Sequence, residues 1–399
     1  MITNPRTIIR ICLIVALLVI LAIESKRQSA DSGICNGQNV ILPFTDVAGN
    51  TFFCQIAEAY FTALTFGTTP STYSPAANVT RDQMAAFITR TLDQSLLRGS
   101  RRAALNQWAI PPVVPLSAVT TLGGHPLSLQ SDGADLWVSL TNNTVSRVRA
   151  SDGRVLETWT DATNPQGVVV VRGRIFIAGT TFPGSLYRID PKQPPGSVEV
   201  VSTALGDRPE GITTDGAFIW TANLADAGLQ SSVSKINPDT GQTTNFTGFD
   251  GAYGILYDGA NVWVTCSGNA TLKRLNTDGS VAQSVVVGGG PAFLAFDGTN
   301  LWVPDIGADS VSVVRASTGL VVATLTGNGL SGPLSAAFDG QRILVTNEQG
   351  QSVSLWNSSD LTPLGTFSFE APKFNPFGAC SDGINFWIGD INGNRLARF

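Results

Sequence analysis

The chain holds a single histidine, His125, so any site that needs two imidazoles is excluded. Charged residues make up only 14% of it, too few for long solvated helices, which draw on Lys and Glu. Cations are scarce where most of the chain lies: residues 111–399 carry 24 Asp/Glu against 16 Lys/Arg. Phosphate neutralisation needs clustered cations, so a nucleic-acid partner is excluded. The five cysteines form no CxxC pair and no Cys/His cluster of zinc spacing. No Walker loop, EF-hand loop or strand-flanked G-x-S-x-G elbow occurs. Asp305 and Asp309 are two carboxylates, too few to hold calcium. No cofactor, metal site or catalytic residue is therefore expected. What the chain has instead is 41 Gly and 21 Pro, the supply for many short strands joined by tight turns.

The one long apolar run is Ile11 to Ile23, 13 residues preceded by Arg6 and Arg10. A span usually needs about 20 residues, so residues 1–30 read as a signal peptide. Gln28 stands where a cleavage site wants a small residue, and an uncleaved signal anchor is the alternative. Export follows, with membrane contact only through this segment. In an oxidising compartment Cys35 and Cys54, which flank one short segment, can pair. Cys266 and Cys380 lie alone in apolar strands and read as small buried hydrophobes.

Residues 31–108 have a helical pattern. Phe53, Ile56, Ala57, Tyr60, Phe61 and Leu64 recur at spacings of three and four. Thr80 with Gln83 three residues on reads as a capping box, opening a second helix with Met84, Phe87, Ile88 and Leu92 on its apolar face. "FTDV" (Phe44–Val47), "LTFGTT" (Leu64–Thr69), "TYSP" (Thr72–Pro75) and "VTRDQMAAF" (Val79–Phe87) make this segment resemble one S-layer homology module. The resemblance implies binding of cell-wall polysaccharide through residues 44–92, with Thr80 and Arg81 contacting the glycan. Asp82-Gln83 stands where Ala-Glu is commoner, and one module stands where such anchors usually carry three. Arg98, Arg101 and Arg102 follow, and residues 109–116 form a Pro-rich linker.

Beyond it one unit repeats. "PEGITTDGAFIWTAN" (Pro209–Asn223) has counterparts with turn positions at Asp132, Arg172, Asp215, Asp258, Asp297, Asp339 and Asp382. The spacings are 40, 43, 43, 39, 42 and 43 residues, the period of a four-stranded propeller blade. In each copy a small apolar strand follows Pro, Asp-Gly supplies the φ > 0 positions of a hairpin, and an "xxWV" strand comes next. Trp137, Trp220, Trp263, Trp302 and Trp387 share one position, with Phe176 and Leu344 in the other copies, and are read as packing between blades. Trp159 and Trp356 lie outside this row. The chain stops after the third strand of copy seven, and "SAVTTL" (Ser117–Leu122) is a spare strand that can complete that blade. The fold class expected is mainly β: a seven-bladed β-propeller over residues 117–399, closed by strand 117–122, with a small N-terminal α-helical module.

Through "ILVTNEQGQSVSLWN" (Ile343–Asn357) and "LWVPDIGADSVSVVRASTGLVVATL" (Leu301–Leu325), the repeat resembles the surface-layer VTN propellers and the streptogramin-lyase-like propellers. The lyase relatives use two His with a Glu and a divalent metal, and the single histidine leaves no such residues to carry over. Binding residues are instead expected beside the prolines, at one end of the central strands: His125, Asn164, Gln166, Arg208, Glu210, Tyr253, Asn375 and Phe377. A cleft there can hold a sugar or a peptide end. The function expected is that of a non-enzymatic cell-envelope protein whose propeller is a binding or adhesion surface, held at the wall by the N-terminal module. A divergent lyase- or hydrolase-type propeller enzyme and a structural surface-layer component are the alternatives.

Overall fold

The structure, a computed structural model, describes residues 30–35, 38–61, 65, 67–81, 83–85, 113–114, 119–226, 229–369 and 373–399. The apolar run Ile11–Ile23, the arginines at 98, 101 and 102, and the expected helical positions Phe87, Ile88 and Leu92 lie outside them. The chain divides into two compact units, Met1–Ser95 and Leu96–Phe399.

In the first unit, Ser32–Cys35 pairs antiparallel with Gln38–Ile41, a helix, α1, runs from Phe53 to Phe61, and residues 81 and 83–85 are again helical. Asn50 opens α1: its Oδ1 accepts from the Phe52 amide at 2.8 Å. Leu42, Phe44, Val47, Phe53, Ile56 and Ala57 form the core. The Phe44 ring lies 5.2 Å from Tyr60 and 5.3 Å from Tyr73, centroid to centroid. The Asp46 carboxylate accepts from the Tyr73 and Ser74 amides, at 2.8 and 2.7 Å. Cys35 and Cys54 are disulfide-bonded. The described residues add a hairpin, Ser32–Ile41, that the helical pattern did not announce, and Leu64 lies outside the described residues. Val40 and the segment 42–47 give that hairpin an apolar side to pack on α1.

The second unit is a seven-bladed propeller. Six blades each consist of four consecutive antiparallel strands, beginning at Pro126, Pro165, Pro209, Ala252, Ala295 and Pro333. Blade seven takes three strands from the C-terminus, Pro376–Ser381, Phe386–Asp390 and Arg395–Arg398, and its fourth from the other end of the unit: Val119–Thr121 pairs antiparallel with Arg395–Ala397. Blade six carries an extra strand, Val113–Val114, parallel to Ser368–Phe369. Part of the stretch expected as a linker is therefore sheet, because the outer edge of blade six leaves ladder groups open to it.

The Asp of each repeat does more than turn the chain. In the six Asp-Gly copies only the Gly has positive φ, from 87° at Gly216 to 100° at Gly340; both central residues are positive only in copy two, at Arg172 and Gly173. The turn is instead a four-residue loop held by the carboxylate. Asp215 Oδ1 accepts from the amides of Ala217 (2.9 Å) and Phe218 (2.7 Å), and its Oδ2 accepts from the Trp220 indole (2.9 Å). The same Asp–indole bond recurs at Trp137, Trp263, Trp302 and Trp387. Each of these tryptophans is buried against the next blade in the ring, Trp302 for example against Ile343, Val345 and Trp356 of blade six. In copy six the partner is Arg342, whose Nε donates to Asp339 at 2.7 Å inside the core. Copy two has neither Asp nor Trp, and a cavity of about 370 Å³ opens there beside Arg172, Arg174 and Phe176.

Candidate functional site

The first strands of the blades surround a central channel. Close approach at the axis explains the small residues after the prolines. A Cβ on Gly211 would sit 2.7 Å from the Tyr253 carbonyl oxygen, and one on Gly254 2.4 Å from that of Ala292. Each strand is irregular just past its start, and in three blades a second-strand hydroxyl bridges the break. Ser139, Thr265 and Thr346 accept from the amides of Ser128, Gly254 and Ser335. The same hydroxyls donate to the carbonyls of Gln166, Ala292 and Phe377 in the following blade, at 2.6, 3.0 and 2.9 Å. The residue after the proline is thereby pinned from the neighbouring blade.

One end of the channel is framed by a bond present in all seven blades. The carbonyl before the first strand accepts from the amide just past the second. His125 pairs so with Thr141, Asn164 with Thr180, Arg208 with Leu224, Gly251 with Ser267, Gly290 with Ile306, Gly332 with Glu348 and Asn375 with Ile391, at 2.8–3.1 Å. This frame takes up the main chain of the pre-proline residues and separates the expected site residues into two sets. Gln166, Glu210 and Phe377 line the channel, whose volume is about 410 Å³. His125, Asn164, Arg208 and Asn375 do not line it and belong to the surrounding rim. The His125 Nδ1 is buried with no partner among the described residues. Tyr253 stands one layer back, its ring 4.6 Å from that of Phe293, which does line the channel.

Among the described lining residues Glu210 is the only charged one. It is 7% exposed, and its Oε1 accepts from Arg208 Nε at 2.9 Å. Arg208 Nη1 donates to Asp226 at 3.0 Å, so one guanidinium serves two carboxylates. Burial raises the Glu210 carboxyl above its ordinary range, with Arg208 pulling the other way. Burial also raises the Tyr253 phenol, helped by the charges of Glu210 and Glu348. The mouth is thus under-neutralised on the acidic side.

Several lining residues escaped the sequence reading, among them Gln130, Thr213, Tyr257, Phe293 and Ser335. Alternation along the first strands was the available signal for most of them. Phe293 depends on something else: its amide donates to the Leu334 carbonyl at 3.0 Å and its carbonyl accepts from the Ala336 amide at 2.9 Å, both of blade six, which draws blades five and six together at the axis.

In the N-terminal unit Thr80 and Gln83 form the reciprocal capping pair, 3.0 Å from the Thr80 amide to Gln83 Oε1 and 3.4 Å in return. Arg81 is exposed. The described residues contain no cluster of three or more His, Cys, Asp or Glu placed to hold a metal ion.

No protein-family model matches this chain, and no curated protein matches it either. Solved structures do. A streptogramin B lyase superposes with a TM-score of 0.59 at 16% identity, over 70% of this chain and 95% of that one. A catalytically inactive virginiamycin B lyase from Staphylococcus aureus with quinupristin gives 0.58 at 16% identity, over 70% and 97%. The WD40 propeller domain of Doa1 gives 0.55 at 13% identity, over 70% and 95%. At such identities the likeness is one of fold.

Proposed function

We propose that this is a non-enzymatic protein of the cell envelope. Its propeller binds a ligand at the channel mouth, and its N-terminal unit holds it to cell-wall polysaccharide. The observation that carries the reading is the channel itself: about 410 Å³, with amide, hydroxyl and aromatic side chains around one buried carboxylate. Concave sites of this size and mixture are binding sites. A propeller fold shared by lyases and WD40 domains is compatible with this use and does not select it.

Envelope placement is supported by the Cys35–Cys54 disulfide, which suits an oxidising compartment. The S-layer-homology resemblance supports wall binding, with Thr80 and exposed Arg81 as the glycan contacts.

Two measurements test the reading. The full chain, screened against glycan and peptide arrays, should bind a ligand that the Arg208→Ala/Glu210→Ala double variant holds at least ~10-fold more weakly, the loss expected for a buried charged contact. The full chain should also sediment with purified cell-wall material, and less so as Arg81→Ala. Arrays without a ligand would remove the binding role, and failure to sediment would remove the anchor.

A further inference from the structure

We infer that the channel takes an oligosaccharide bearing a free amino group, whose ammonium completes the charge on Glu210. This rests on the binding role proposed above and narrows it to a ligand class.

Charge is the first argument. The buried carboxylate of Glu210 has one oxygen on Arg208, and Oε2 has no hydrogen-bond partner among the described residues. Arg208 is shared with Asp226, which leaves the three groups one positive charge short. A buried charge that is only partly compensated favours any ligand that brings the missing charge. The loops at this end of the channel give no help from the protein. Their described residues include Asp161, Asp207, Asp226, Asp250, Asp309 and Glu348, against two cations, Arg208 and Lys373.

The rest of the lining sets the ligand's body. Gln130, Gln166, Thr213 and Ser335 offer neutral donors and acceptors, suited to hydroxyl groups. Phe293 and Phe377 offer apolar ring surface for the C–H faces of a pyranose. No second charge lines the channel among the described residues, so a ligand with one ammonium at the mouth and hydroxyls further in matches it best.

The test is calorimetric titration of the full chain with a glucosamine tetrasaccharide, its N-acetylated counterpart and a lysine-containing tetrapeptide. The amino sugar should bind, at least ~10-fold more tightly than the acetylated one, and lose that preference in Glu210→Gln. Phe377→Ala should weaken both sugars alike. Thermal unfolding of each variant at the wild-type midpoint establishes that the loss is local. Equal binding of the two sugars, or an unaffected Glu210→Gln variant, overturns the inference and leaves the binding role standing. Preference for the peptide does the same. If none of the three binds and the arrays are also empty, both fall.

Discussion

Asp305 shows how one atom changes a shared design. Asn347 closes the second strand of blade six, and its amide donates to Ser352 and Ser354 at 3.1 and 2.8 Å; Asn223 does the same with Ser232 and Ser234. Blade five has Asp305 there, fully buried, taking Ser310 and Ser312 on Oδ2 and leaving Oδ1 bare among the described residues. Burial pushes its carboxyl up to about 6, against the hydrogen bonds of the two serines. Its polar neighbours include the Ser310 and Ser312 hydroxyls and the Gly288 backbone. A carboxyl raised on folding stabilises while protonated, so stability falls as pH rises from about 4 through about 6, then levels. Asp305→Asn should remove that slope and raise stability at pH 7.5 by about 2 kcal/mol, read from thermal unfolding at pH 4.5 and 7.5. The Asp-turn carboxylates oppose this. Burial raises Asp215, but the Phe218 and Ala217 amides and the Trp220 indole outweigh it and lower the carboxyl below its ordinary value. Its contribution is present above the unfolded value and lost as pH falls through the folded one. Stability should therefore peak on the acid side of neutrality.

At the scale of the element, the blade is a hairpin clasped by a carboxylate. Asp297 receives the Thr299 and Asn300 amides and the Trp302 indole. Asp297→Ala leaves a buried indole hydrogen unpaired and should cost about 2–3 kcal/mol, seen as a lower urea midpoint at unchanged slope. The Asp-Gly and Trp signals were both legible in the sequence, but their joint meaning was not. Two residues five apart look independent until the loop curls the carboxylate back over the indole. The N-terminal unit rests on a different device. Its disulfide closes a separation of 19 residues, worth about 3 kcal/mol. Cys35→Ser/Cys54→Ser should make residues 30–85 sensitive to proteolysis under conditions where residues 119–399 resist.

For the whole molecule, closure is the decisive step. Thr120 pairs with Leu396, and its hydroxyl donates to the Gly153 carbonyl of blade one at 2.7 Å, tying the closing strand to both neighbours. Thr120→Pro removes a ladder donor and should lower unfolding stability by about 3 kcal/mol in urea, more than a proline in an outer loop. The blade count and the spare strand could be counted from the sequence, because each blade is a local unit of about 42 residues with its own turn and apolar signals. So could the crowding at the axis, written in the glycines two residues past the first-strand prolines. The channel lining was legible only in part. Sequence placed Gln166, Glu210 and Phe377 at the channel, but gave Asn164, Arg208 and Asn375 the same standing. Which of these face the lumen depends on seven carbonyl–amide bonds between loops and on the hydroxyls that pin each first strand from the neighbouring blade. Sequence by itself determined the repeat, since its forces act within forty residues. Only the tertiary structure decided which residues line the channel, since its charges and faces belong to several blades at once.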